Sequence, residues 1–151
     1  MVLNFLPMAE YPEDQENAKY IMYAHGFQKG IQTGSLVALV SGGFYALVRG
    51  KPKFPTMLKW SSVGIIVGPS IVIPMIAMKM NGKTAIEWQD RAWRLQRNEG
   101  QISVDTASDA GLIVGGLLYP LLSNFRVSLL QGAAVGCAAN VVGYILITAM
   151  K

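Results

Sequence analysis

The chain has 151 residues, of which 52% are apolar and only 15% are charged. A soluble globular domain carries about 25% charged residues, so the composition argues against one and indicates a single membrane domain. The net charge is +4, but the 13 Lys and Arg residues are spread between apolar blocks, which argues against nucleic-acid binding.

Residues 1–30 form a polar N-terminal segment, and residues 31–151 are predicted to form the membrane domain. The segment lacks the basic and apolar regions of a secretory signal, and its acids are atypical of an Arg-rich transit peptide. Any targeting signal is therefore expected to be internal. The single histidine, His25, is expected to lie at the membrane interface.

A stripe of small residues recurs at every fourth position from Gly26 to Gly50 and overlaps the first apolar block. Glycine inside a soluble helix costs about 1 kcal/mol relative to alanine, so such a stripe needs a compensating gain. Within a membrane, small residues let helices approach closely, which supplies that gain.

Four apolar blocks predict an all-α membrane protein with four transmembrane helices in two hairpins. The predicted spans are residues 31–48, 60–78, 107–122 and 127–150. The third block is short for a span and contains Asp109 and Pro120. If the fourth block crosses the membrane, the short segment between the third and fourth blocks can only be a tight turn.

Every block carries small residues at four-residue spacing, which predicts small-xxx-small helix packing. The predicted packing positions are Gly26, Gly30, Gly34, Gly42, Gly64, Gly68, Gly111, Gly115, Gly132 and Gly136. A pore or ligand channel lined by the same glycines is the alternative interpretation.

No catalytic residue, cofactor, metal site or small-molecule substrate is predicted. Cys137 is the only cysteine, so disulfides and thiolate clusters are excluded. Transporters usually carry ionisable residues in mid-membrane, and the first, second and fourth blocks contain none. Asp105 and Asp109 are interpreted as helix-start residues that complement the helix dipole. Interhelical hydrogen bonds would account for polar residues such as Gln32 and Asn140.

The loop after the first block contains four cations and no acid, a composition that suits anionic lipid head groups. Its predicted head-group contacts are Arg49, Lys51, Lys53 and Lys59. Membrane lipids, with cardiolipin as one candidate, are therefore expected partners. Flanking charge that only sets the topology is the alternative.

The central connection is predicted to contain a short amphipathic helix at about residues 84–98. Thr84 and Glu87 have the spacing of a capping box at its start. Two acid-first ion pairs are predicted at four-residue spacing, Glu87 with Arg91 and Asp90 with Arg94.

This helix also carries residue types that anchor protein interfaces, and its paired charges argue against simple adsorption to lipid. The tryptophans have no evident role inside the membrane bundle. The predicted partner-docking residues are Trp88, Asp90, Arg91, Trp93 and Arg94.

Three stretches carry a resemblance: IEWQDRAWRLQRNEGQ, VDTASDAGLIVGG and the glycine-striped HGFQKGIQTG. Together they are similar to a small family of accessory subunits in the membrane arm of mitochondrial NADH:ubiquinone oxidoreductase, complex I. The four-helix, glycine-striped layout also resembles the inner-membrane protein-import channel family.

The resemblance implies a non-catalytic, multi-pass subunit of the mitochondrial inner membrane that supports assembly or stability of the respiratory-chain complex. It implies other membrane-arm subunits as partners and no bound redox centre. A subunit of an inner-membrane protein-import translocase is the main alternative, and a small solute carrier that depends on Asp109 is a further one.

Overall fold

A computed structural model describes residues 6–49, 54–123 and 127–150, and the regular structure within these ranges is all helical. A short 3-10 helix at Pro12–Asp14 precedes five α-helices. These are α1 (Ala18–Val48), α2 (Phe54–Met80), α3 (Ala85–Gln96), α4 (Glu99–Leu122) and α5 (Leu129–Ala149).

Two helices begin well before the blocks from which they were predicted. α1 begins at Ala18, so the predicted polar segment of residues 1–30 contains a large part of this helix. α4 begins at Glu99 rather than near residue 107. The difference arises because Lys, Gln and Glu are good helix formers, so a helix continues where the apolar pattern stops.

Three of the described helices are long and apolar enough to cross a membrane: Ala18–Val48, Pro55–Met80 and Leu129–Ala149. α4 is 24 residues long and is not among them. Its first half carries Glu99, Asp105 and Asp109, which lower its apolar character.

α1 and α2 form the first hairpin and meet through small residues. A Cβ atom added to Gly30 would lie 2.5 Å from the backbone of Pro69, and one added to Gly34 would overlap the carbonyl of Gly64. Gly68 lies against Gly30 in the same way. Rising numbers on α1 match falling numbers on α2, so the helices are antiparallel and their backbones are in contact.

α4 and α5 form the second hairpin with the same geometry. Gly111 lies against the carbonyl of Gly136, and Gly115 lies against the carbonyl of Gly132. All ten glycines predicted as packing positions face the other helix of their own hairpin. α5 also packs against α1 and α2, which joins the two hairpins into one bundle.

α3 covers one end of the bundle. It follows a turn that contains Gly82, whose φ of +73° lies in the left-handed region that glycine adopts most readily. Trp88 and Ala92 of α3 are buried with Ile21 of α1 and Met80 of α2. This small apolar cluster fixes α3 against the start of α1.

Alanine in place of Gly68 is expected to destabilise the protein, because its Cβ would overlap the Gly30 carbonyl and neither backbone can move independently. Overpacking of this kind costs about 1–3 kcal/mol. Thermal unfolding of the purified protein in detergent measures the effect. Gly143→Ala is the matched control, since nothing lies within 4 Å of a Cβ at that position. Equal midpoints for the two variants would contradict a packing role for Gly68.

Candidate functional site

A cluster of polar side chains lies between α1 and α4. We call it the polar cluster, and its members are His25, Gln28, Lys29 and Gln32 from α1 with Asp105, Ser108 and Asp109 from α4. The spacing within each set is that of residues on one helix face. α1 and α4 therefore present polar faces to each other.

Asp105 lies at the centre of the polar cluster, with a side chain only 1% exposed. Its Oδ1 atom is 2.9 Å from the Lys29 ammonium and accepts a hydrogen bond of 2.8 Å from the Gln32 amide. The Gln101 amide, one turn earlier on α4, donates to the same oxygen at 2.8 Å. A buried carboxylate is stable only with this kind of pairing.

Further hydrogen bonds connect the two helices. The Gln28 amide donates to Asp109 Oδ1 at 2.9 Å and to the Asp105 backbone carbonyl at 3.2 Å. The Gln32 amide also donates to Ser108 Oγ at 2.6 Å. Long side chains thus connect α1 to α4, whereas backbone contacts connect the helices within each hairpin.

The polar cluster lies level with the middle of an apolar run. Residues 60–78 of α2, between Lys59 and Lys79, contain no charged residue, and Pro69 is their midpoint. Gly30 lies directly against Pro69, so Lys29 is close to this level. Ionisable residues at such a depth are costly and are usually paired or functional.

The expectation that Asp105 and Asp109 begin a helix is wrong. α4 starts at Glu99, and the Asn98 side chain caps it by accepting a hydrogen bond of 3.0 Å from the Gln101 backbone N–H. Both aspartates therefore lie inside the helix, where they face α1 instead of complementing free amides.

The predicted start of the first span at residue 31 also left His25, Gln28 and Lys29 of the polar cluster outside the predicted membrane domain. His25 was expected at the interface, but its side chain is only 14% exposed and its Nδ1 is 3.4 Å from Asp105 Oδ2. Lys29 lies inside the helix as well. The spacing of His25, Gln28, Lys29 and Gln32 was the available signal, since it marks one helix face.

Polar residues within the spans differ in their partners. The predicted interhelical bonding of Gln32 is confirmed by its bonds to Asp105 and Ser108. Asn140 instead donates within α5, to the carbonyl of Gly136 at 3.1 Å. Its amide satisfies a local carbonyl and, among the residues that the structure describes, has no hydrogen bond to a second helix.

The start of α3 has the predicted capping box. The Glu87 carboxylate accepts a hydrogen bond of 2.9 Å from the Thr84 backbone N–H. The predicted Asp90–Arg94 pair is present at 2.9 Å, but Glu87 pairs with Lys83 at 2.8 Å instead of with Arg91. Lys83 precedes the helix and is therefore free to reach over its first turn.

The tryptophans of α3 have roles within the chain, contrary to expectation. Trp88 is 7% exposed, and its ring centroid is 5.8 Å from that of Tyr23. The Trp93 indole N–H donates to the Ala9 carbonyl at 3.2 Å, and the Arg97 guanidinium lies 4.2 Å from the Trp93 ring centroid. Trp88 holds α3 to α1, and Trp93 holds the N-terminal segment to α3.

The charged residues of α3 that were predicted to dock a partner have more solvent access than Trp88. The Arg94 side chain is 72% exposed, and the Asp90 side chain is 36% exposed. Arg91 is half-buried. The face open to another molecule is therefore charged, and its largest exposed apolar side chain is Ile86.

The opposite end of the first hairpin carries cations and aromatic rings. The Arg49 guanidinium lies 5.5 Å from the Tyr45 ring centroid, and the Tyr45 and Trp60 rings are 5.8 Å apart. Lys59 is exposed beside Trp60. The predicted head-group residues Lys51 and Lys53 lie outside the described residues. An apolar groove of about 370 Å³ between α1 and α2 begins at Trp60.

Comparison with models of known protein families and with curated proteins gives no match. Within residues 6–49, 54–123 and 127–150, no group of three or more His, Cys, Asp and Glu side chains is arranged to hold a metal ion.

Removal of one member of the Lys29–Asp105 pair is expected to destabilise the protein more than removal of both. Lys29→Met leaves the buried Asp105 carboxylate without its cation, which typically costs about 3–5 kcal/mol. Asp105→Leu leaves the partly exposed Lys29 ammonium without its anion, at a smaller cost. The double variant removes both charges and is expected to regain about half of the loss or more. Chemical unfolding in detergent gives the free energy of unfolding of the wild type, the two single variants and the double variant. Strictly additive losses would contradict direct coupling between Lys29 and Asp105.

The start of α3 is expected to loosen in acid. A hydrogen bond from Lys83, followed by one from the Thr84 backbone, lowers the pKa of the Glu87 carboxyl from 4.5 to about 2. A lowered folded-state pKa stabilises the folded form above pH 4.5, and this stabilisation is lost as the pH falls toward 2. Backbone NMR shifts of α3 report the change.

Glu87→Gln is expected to remove this acid-dependent step, since the amide does not titrate. Asp90→Asn is the matched control, because Asp90 does not cap the helix and its exposed pair with Arg94 contributes little. An unchanged acid transition in Glu87→Gln would show that another group controls the start of α3.

Proposed function

We propose that this protein is a non-catalytic accessory subunit of the membrane arm of mitochondrial complex I, located in the mitochondrial inner membrane. In this role it supports assembly or stability of the respiratory complex and contacts other membrane-arm subunits. The observation that carries the proposal is the Glu87–Gln101 run, which resembles the complex I accessory family and lies on α3 and the start of α4.

The proposal includes a four-helix membrane layout. α4 lies along α5 with backbone contacts at Gly111 and Gly115, so membrane insertion of α5 would bring α4 with it. The second half of α4 also has an apolar exterior suited to lipid. Its exposed side chains there are Ile113, Val114, Leu117, Leu118, Leu121 and Leu122.

The position of α3 is consistent with docking to another subunit. It lies at the end of the bundle, so it can contact a partner without disturbing the glycine contacts between the spans. Arg94 and Ile86 point outward there. Arginine at such a position suits bidentate pairing with a partner carboxylate.

The proposal also includes lipid contacts, which lie at the end of the first hairpin opposite α3. Arg49 and Lys59 lie beside the aromatic pair Tyr45 and Trp60, which is the residue combination typical of a membrane interface. Anionic phospholipids, with cardiolipin as one candidate, fit this end, and their acyl chains fit the adjoining groove.

A protein-import translocase subunit would be favoured by a polar cavity that opens sideways to lipid. Such a cavity would be lined by polar groups such as Gln32 and Asn140. Gln32 is buried in the polar cluster, and Asn140 is exposed. The groove between α1 and α2 is bordered chiefly by apolar side chains, among them Val37, Val63 and Val67. These observations favour the accessory-subunit proposal.

Purification of native complexes from mitochondrial membranes tests the proposal. We expect the chain to be recovered with complex I subunits after mild detergent extraction and to be identified there by mass spectrometry. Recovery only as a free monomer, or only with import machinery, would overturn it.

Charge reversal on α3 is expected to weaken this association. Arg94→Glu opposes the proposed carboxylate contact and should lower retention in the complex, while loss of the exposed pair with Asp90 costs the fold no more than about 1 kcal/mol. Lys79→Glu is the matched reversal at an exposed site on α2. Resistance of both variants to alkaline carbonate controls for membrane insertion, and equal retention would place the docking surface elsewhere.

A further inference from the structure

The α1–α2 groove, with a volume of about 370 Å³, is open along one side of the first hairpin. Its floor is the backbone at Gly34, Gly64 and Gly68, where the absence of side chains leaves room between the helices. Val37 and Val63 stand at its sides and are both exposed. The groove is therefore accessible from outside the bundle.

The groove has the length of one membrane leaflet. On α2 its lining begins at Trp60 and ends at Val72, which is about 18 Å at about 1.5 Å per residue. Half of a hydrocarbon core of about 30 Å is about 15 Å. One turn beyond Val72, Ile76 packs against Gly26. This length fits an acyl chain of one leaflet, whereas a transmembrane helix of a partner needs a surface that crosses both leaflets.

The polar character of the lining differs between the two ends of the groove. Thr33 lies at the inner end, where its hydroxyl donates to the Lys29 carbonyl at 2.7 Å within α1. Ser41 lies at the other end, next to Gly42, which packs against Trp60. Tryptophan is typical of the membrane interface. The mouth of the groove is therefore at Trp60, and a ligand with a polar head and an apolar chain fits this order.

The mouth carries positive charge without a balancing acid. Arg49 and Lys59 are exposed beside the rings of Tyr45 and Trp60. The sequence has no Asp or Glu within residues 17–86, and neither cation forms an ion pair within the part of the chain that the structure describes. A negatively charged phosphodiester head group complements this end.

We propose that the α1–α2 groove binds one acyl chain of a single anionic phospholipid, whose phosphate lies at Arg49 and Lys59. The chain packs on the glycine floor, and the second chain of the lipid remains in the surrounding bilayer. The lipid is thus a fixed component of the protein. This inference deepens the lipid contacts of the proposed function and rests on its membrane placement, but it does not depend on membership of complex I.

Native mass spectrometry of the full-length protein, released from detergent micelles, tests the site. Dioleoyl phosphatidylglycerol is the anionic probe, and dioleoyl phosphatidylcholine is the zwitterionic control with the same acyl chains. We expect one bound phosphatidylglycerol per protein chain. The affinity for phosphatidylcholine should be at least about fivefold lower, since each basic residue contributes about that factor toward an anionic lipid.

Two matched pairs of variants locate the lipid. Val67→Trp fills the groove from an exposed position in its lining and should abolish the one-to-one adduct. Val114→Trp makes the same change at an exposed position of α4, outside the groove, and should leave the adduct unchanged. Lys59→Gln should lower the affinity for phosphatidylglycerol about fivefold. Lys79→Gln, at the opposite end of α2, should not.

Equal affinities for the two lipids would overturn the proposal, as would equal phosphatidylglycerol binding by the wild type and Val67→Trp. A protein dimer that Val67→Trp abolishes, observed in place of a lipid adduct, would assign the groove to a second copy of the chain and would also overturn it. If Val67→Trp does not fold, the lysine pair decides, because equal affinities of Lys59→Gln and Lys79→Gln contradict the proposed head-group position. Recovery of the chain outside complex I would leave these measurements unaffected, which separates this test from that of the proposed function.

Discussion

Neutralisation of the buried Asp105 carboxylate is the constraint on which the arrangement of the helices depends. A carboxylate at the level of an apolar run is stable only when charge and hydrogen bonds surround it. Lys29 supplies the charge from a different hairpin, and Gln32 supplies a hydrogen bond from the same face of α1. The two hairpins must therefore meet in one rotation and one register, since a helix turned by one residue would lose these contacts.

The helices use two kinds of contact, which differ in how far apart they hold the backbones. Within a hairpin, glycines such as Gly34 and Gly64 remove the side chains and bring backbones together. Between α1 and α4, long side chains such as Gln28 and Lys29 cross a wider space. Apolar packing between helices is weakly specific in lipid, because lipid tails compete for the same surfaces. The polar contacts therefore supply specificity where the hairpins join.

The sequence predicted the features that depend on neighbouring residues along the chain. The helical class, the capping box of Thr84 and Glu87 and the Asp90–Arg94 pair all follow from local spacing. The polar cluster joins residues more than seventy positions apart, and no local spacing pairs Lys29 with Asp105. The predicted start of the first span at residue 31 was wrong for a related reason, because α1 begins at Ala18. Apolar content indicates contact with lipid, but it does not indicate where a helix begins.

Burial of Trp88 changes which surface of α3 is open to a partner. An aromatic anchor was expected to face outward, but the same ring fills the space between α3 and Ile21 of α1. Replacing it would disturb the position of α3 as well as any interface, so a Trp88 variant cannot separate folding from docking. Arg94 is exposed, and its ion pair among the described residues is the local one with Asp90, so its substitution acts mainly on whatever lies outside. The outward face of α3 therefore carries exposed charges of both signs, with Glu87 and Asp90 beside Arg94.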